Sequence, residues 1–161
     1  MSKFDAVVVG SGAAGAATAW SLCEQGFNVV CLEQGVWQDT SKYPSTSSDW
    51  EIQKRTRHNP VMAERQNQYD YPIDDSQSPI AMCNFNAVGG STILYSGHFP
   101  RFRPRDFKIR TKDQIAEDWP ITYDDLRPYF DINEHQMSMA GLAGDPCYPD
   151  IEHALPPVPL G

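Results

Sequence analysis

With 161 residues, 40% of them hydrophobic, the chain has the size and composition of one ordinary globular domain. Its formal net charge of −8 argues against nucleic-acid binding, which calls for a net basic face. No run approaches the ~20 apolar residues that cross a membrane, and no basic stretch followed by an apolar core marks a secretory leader. The cysteines, Cys23, Cys31, Cys83 and Cys147, form neither a C-x-x-C pair nor a zinc-spaced cluster with histidine. They read as reduced structural thiols, and the expected location is cytoplasmic.

Phe4 to Val9 is a short β-branched run ending at a glycine, the pattern of a buried parallel strand. Gly12 to Gln25 is alanine-rich and reads as a helix, with Gly26 as its stop. Asn28 to Leu32 reads as a second buried strand, closed by Glu33. Strand, helix and strand within about 30 residues make a right-handed βαβ unit.

From Val36 to Asn84 the chain turns polar and loses periodicity, so an irregular excursion rather than core is expected there. Asp49 to His58 carries a weak helical pattern. Ala87 to Gly97 is the next low-polarity island. Arg101 to Lys112 then holds six basic residues, which read as a solvated or salt-bridged loop. Thr122 with Asp125 forms a capping-box-like helix start, and Pro128 predicts a kink or two short helices. Trp119, Tyr123, Tyr129 and Phe130 read as packing residues, and the proline-rich end as extended chain. No internal repeat is present.

The chemistry sits in Gly10-Ser11-Gly12-Ala13-Ala14-Gly15, a G-x-G-x-x-G segment that leaves a strand and opens a helix. Gly10 permits the tight turn. Gly12 lets the backbone approach a pyrophosphate, and Gly15 lets helix and strand pack closely. The pyrophosphate would lie at the helix N-terminus, where free N–H groups and the helix dipole favour negative charge. Glu33, 18 residues after Gly15, can accept the hydroxyl hydrogen bonds of an adenosine ribose and repels a 2′-phosphate. Gln34 is placed beside it in the same site. The fold class is therefore α/β, a Rossmann-like dinucleotide-binding unit. The motif alone leaves NAD and FAD open. Its N-terminal position and the long irregular segment after the second strand favour FAD.

The run NAVGGSTILYSGHFPRFRPRDF, followed by AEDWPITYDDLRPYFDINEHQMSMAGLAG, resembles the glucose–methanol–choline (GMC) family of FAD oxidoreductases. Within it, the chain is most similar to the flavoprotein subunits of gluconate, sorbitol and fructose dehydrogenases. The resemblance covers the fingerprint and roughly residues 84–145. It implies that Val88, Gly89, Gly90 and Ser91 run beside the flavin, where a flat ring against the main chain demands glycines. Some relatives carry a covalently attached histidine where Leu94 and Tyr95 stand here, so the resemblance implies non-covalent FAD. Many have asparagine at Tyr95, a further expected flavin contact.

The resemblance also implies hydride transfer from an alcohol or sugar CH–OH to flavin N5. Its catalytic histidine lies in a later segment that this chain does not match, so His58, His98, His135 and His153 are read as structural or surface residues. The expected organisation is the N-terminal part of a GMC-type domain. Residues 1–36 form the βαβ fingerprint, 37–84 the excursion, and 85–161 the flavin wall with short helices. The catalytic end would come from missing sequence or a second polypeptide. Tyr69 and Tyr71 would then lie where relatives shape substrate entry. Two rivals remain at this stage: an NAD-dependent Rossmann dehydrogenase, and a non-catalytic flavoprotein subunit that binds a partner chain.

Overall fold

A computed structural model describes residues 3–43, 48, 58–65, 70, 72–95, 97–152 and 154–159. The helix expected over residues 49–58, Tyr69, Tyr71 and His153 fall wholly or largely outside the described residues. The chain forms two compact units, Met1–Ser96 and Gly97–Gly161.

The first unit is built on β1 (Ala6–Val9), α1 (Ala13–Glu24) and β2 (Val29–Leu32). The strands pair in parallel, with Ala6 beside Val29 and Val9 beside Leu32. The register is pinned at its start by Asp5 and Asn28. The Asp5 N–H donates to the Asn28 carbonyl at 2.8 Å, and the Asn28 N–H returns to Asp5 Oδ2 at 2.9 Å. Helix α1 ends in a Schellman turn: Gly26, at φ +85°, donates to Cys23 O, and Phe27 donates to Leu22 O. This is the expected βαβ unit, with boundaries one or two residues inside those read from the pattern.

The strands are not buried on both faces, as the β-branched runs led us to expect. Val8 is 8% exposed, whereas its neighbours Val7 and Val9 are 60% and 81% exposed. Side chains alternate along a strand, so one face of β1 meets α1 while the other stays mostly exposed. Leu32 on β2 is exposed too.

The excursion supplies core that its polarity hid. Val36 bridges Ala87 in parallel, and the Val88 N–H donates to Val36 O at 3.1 Å, so the chain after β2 acquires residues 87–88 as a neighbour. A Cβ on Gly35 would sit 2.3 Å from the Ala87 backbone, so only glycine allows this approach. Phe85 and Ala87 are buried, as are His58, Asn59 and Arg65. The His58 ring stacks on Phe85 at 5.9 Å and meets Tyr43 edge-on at 5.5 Å, which makes it a structural histidine. Arg65 ends a one-turn helix, α2 (Met62–Arg65).

The second unit contains a 3₁₀ turn (Pro104–Lys108), α3 (Ile109–Asp113) and α4 (Tyr123–Gln136). The Thr122–Asp125 capping box forms with both reciprocal hydrogen bonds. One continuous helix then runs through Pro128, rather than two short ones. The proline removes a single N–H, and its ring crowds Asp124 in the first turn, which the capping box secures. Half of the six basic residues are salt-bridged, Arg101 to Asp131 and Glu134, Arg105 to Asp113, and Arg110 to Glu117, and residues 104–113 are helical rather than a loop. Arg101 and Glu134 are both buried, and Arg101 also donates to Tyr123 Oη at 2.9 Å. The Glu134 carboxylate holds the guanidinium protonated more firmly than usual. Tyr123 and Phe130 stack at 5.8 Å, as packing residues should. Trp119 and Tyr129 do not share that role, being mostly exposed.

Candidate dinucleotide site

The site begins where β1 runs out. Gly10 continues the ladder by donating to Leu32 O at 2.7 Å, then turns at φ +88°, a conformation that suits glycine. A Cβ on Gly15 would lie 1.9 Å from Gly10 O, so the start of α1 packs directly on the turn. A Cβ on Gly12 would meet nothing within 4 Å, so the space above it is open.

Gly12 is the N-cap of α1, and no side chain caps it. The first four N–H groups of a helix have no partner within it. Here those groups, on Gly12, Ala13, Ala14 and Gly15, face no acidic residue in the first turn either. Together with the helix dipole they form a cradle for an anion. The uncapped end and the open space over Gly10 and Gly12 fit a pyrophosphate.

Glu33 closes the loop from the other side. Its Oε2 accepts from the Ser11 N–H at 2.6 Å and the Ser11 hydroxyl at 2.7 Å, and Oε1 accepts from the Gly35 N–H at 2.7 Å. The hydrogen bonds from Gly35 and Ser11 hold the carboxyl down at a pKa of about 2. A carboxylate has about four acceptor positions. Donors from Ser11 and Gly35 occupy three of them. Gln34 follows, exposed at the strand exit.

The second glycine loop meets the first. Ser11 Oγ accepts from the Gly89 N–H at 3.0 Å while donating to Glu33, across 78 positions of sequence. Gly89 and Gly90 both take positive φ, +94° and +61°, and a Cβ on Gly90 would come within 3.4 Å of Gly12 Cα. The structure thus gathers Gly10–Gly15, Glu33 and Val88–Ser91 into one locus. Ser91 turns its hydroxyl away, donating to Asn84 Oδ1 at 3.0 Å. Tyr95 stands exposed beyond the 3₁₀ turn that spans Gly90–Ile93. The pattern of residue types did not reveal Arg65 and Asn84, which brace this segment from the excursion.

Comparison with known proteins agrees with this geometry. Residues 5–46 match the family model described as FAD dependent oxidoreductase. Over that stretch the chain is similar to the FAD-dependent oxidoreductases. It is 40% identical over 150 residues to 2-methyl-1,2-propanediol dehydrogenase of Mycolicibacterium austroafricanum, an alignment covering 91% of this chain and 26% of that protein. It is 31% identical over 164 residues to the gluconate 2-dehydrogenase flavoprotein of Pantoea cypripedii (89% of this chain, 26% of that protein). It is 25% identical over 175 residues to the fructose dehydrogenase large subunit of Gluconobacter japonicus (94% and 30%). The chain therefore spans between a quarter and a third of the length of these curated relatives. The cofactor that this fingerprint serves is FAD, whose isoalloxazine supplies the electron-accepting chemistry when bound. No helix among the described residues is long and apolar enough to cross a membrane.

Proposed function

We propose that this chain is the FAD-holding portion of a GMC-type oxidoreductase that oxidises CH–OH groups of alcohols or sugars, with hydride passing to flavin N5. The observation that carries this reading is the meeting of two glycine loops at Ser11, beside an uncapped helix N-terminus. In this reading Gly10, Ser11, Gly12, Ala13, Ala14 and Gly15 hold the pyrophosphate. Glu33 and Gln34 serve the adenosine end, and Val88, Gly89, Gly90, Ser91 and Tyr95 line the flavin. The FAD is non-covalent, because Leu94 and Tyr95 stand where some GMC proteins carry an attaching histidine.

The substrate class rests on the relatives, whose names specify a diol, fructose and gluconate. We favour a dehydrogenase over an oxidase, although a 6'''-hydroxyparomomycin C oxidase and a paromamine 6'-oxidase also align with this chain, at 31% and 28% identity. The described cysteines are all free and exposed, which supports a reducing compartment such as the cytoplasm. The open face of β1, at Val7 and Val9, supports completion of the sheet by further sequence or a second polypeptide.

A second reading, a subunit that holds FAD and binds a partner chain without turning substrate over, is favoured by the exposed Val7 and Val9 of β1, an apolar face for such a partner. Anaerobic photometry separates the two. The FAD-loaded chain is mixed with short diols, polyols and aldoses. Bleaching of the flavin assigns oxidation to this chain. A flavin that stays oxidised, yet bleaches when the rest of a relative is added, assigns it cofactor holding alone.

A further inference from the structure

Arg65 takes no part in the dinucleotide cradle, yet its side chain is wholly shielded from solvent. Its Nε and Nη2 fork onto Asp70 Oδ2 and Oδ1, each at 2.9 Å. Nη1 donates to the Asn59 carbonyl at 2.5 Å, and Nη2 donates also to the Asn84 carbonyl at 2.8 Å. The guanidinium lies 4.8 Å from the centroid of the Phe85 ring, which is itself buried. Three separate stretches of chain, at residues 59, 70 and 84–85, thus converge on one cation.

The hold does not stop at Asn84. Its Oδ1 accepts from the Phe85 N–H at 2.7 Å and from the Ser91 hydroxyl at 3.0 Å. From there the segment is tied to the chain after β2 through Val88 and Val36, and to the first glycine loop through Gly89 and Ser11. Burying a guanidinium is costly, and an apolar side chain of similar volume would fill the space at least as well. What the planar fork does that an apolar residue cannot is fix two carbonyls and a carboxylate at set angles.

We infer that Arg65 is a positioning residue for the flavin-facing segment, setting through Asn84 where residues 84–91 lie against the first glycine loop. The inference rests on the reading of Val88–Ser91 as the flavin wall. A residue that merely fills the core would affect the whole unit evenly. A positioning residue affects this segment and leaves the β1–β2 ladder alone.

The test uses the full chain with the variants R65K and D70N. R65K keeps the charge and removes the fork. D70N keeps the guanidinium but removes one of the two acceptors of its fork and the opposing charge, and serves if R65K does not fold. Amide hydrogen exchange is measured first without FAD. Exchange at Val88 and Gly90, whose N–H groups donate to Val36 O and Ala87 O, should rise about 10- to 100-fold. Exchange in β1 and β2 should stay within about threefold of the parent chain. With FAD bound, the visible circular dichroism of the flavin should change while affinity for ADP does not. Unchanged exchange at Val88 and Gly90, or an even rise across the whole unit in both variants, overturns the inference. If the parent chain takes up no FAD but the segment-specific rise is seen, the hold stands and the flavin-wall reading is what fails.

Discussion

Replacing Glu33 with glutamine tests how the first glycine loop is closed. The carboxylate accepts three hydrogen bonds at 2.6–2.7 Å, two from Ser11 and one from Gly35. Glutamine offers one acceptor oxygen, and its NH₂ must face at least one of these donors. The carboxyl pKa falls from 4.5 to about 2 in the folded chain. A shift of that size corresponds to about 3 kcal/mol, and solvent screening at this partly exposed site reduces it to roughly 1–2 kcal/mol. Because the folded pKa is depressed, this stabilisation is fully present above the unfolded value and is lost as pH falls through the folded one. Urea unfolding of parent and E33Q chains at pH 7 should therefore differ by about 1–2 kcal/mol, and the gap should close between pH 4.5 and 2. Equal stability at pH 7, or a gap that persists undiminished at pH 2, would refute the reasoning.

Two further substitutions probe other parts of the account. Gly15→Ala places a methyl 1.9 Å from Gly10 O, so α1 must shift off the turn. It should cost roughly 1–3 kcal/mol in denaturant unfolding and weaken FAD uptake in a fluorescence-quenching titration. Uptake equal to the parent's would show that the helix start is not the anion cradle. Glu134→Ala removes the buried partner of the Arg101 guanidinium in the second unit and leaves it Asp131 and the Tyr123 hydroxyl. A loss of about 2–3 kcal/mol is expected in urea unfolding, and a loss below about 1 kcal/mol would mean that Asp131 or water replaces the lost carboxylate.

The βαβ unit was legible because its signals are local. The β-branched run into Gly10, the alanine-rich stretch after Gly12 and the stop at Gly26 each act within a few residues, and all three took the expected form. The Thr122–Asp125 cap was legible for the same reason. What escaped was non-local or depended on absent neighbours. The cluster of His58, Arg65 and Phe85 joins positions up to 27 apart, in a stretch whose polarity suggested solvated loop. A buried arginine has the same one-letter signature as an exposed one. The strands carry the composition of a two-sided core, but α1 covers only the Val8 side, so Val7 and Val9 stay open. Within the site, the glycines announced themselves by spacing. The double use of Ser11, donor to Glu33 and acceptor from Gly89, required seeing residues 11, 33 and 89 together.

The central claim is that the two glycine loops of this chain together hold FAD, and retention of the cofactor tests it most directly. The full chain is incubated with excess FAD, desalted, and its visible absorbance recorded beside that of G15A. The account predicts flavin retained by the parent chain, displaced by ADP, released on denaturation as free FAD, and largely lost from the variant. A folded parent chain that emerges colourless, or a G15A chain that retains flavin equally, would contradict it.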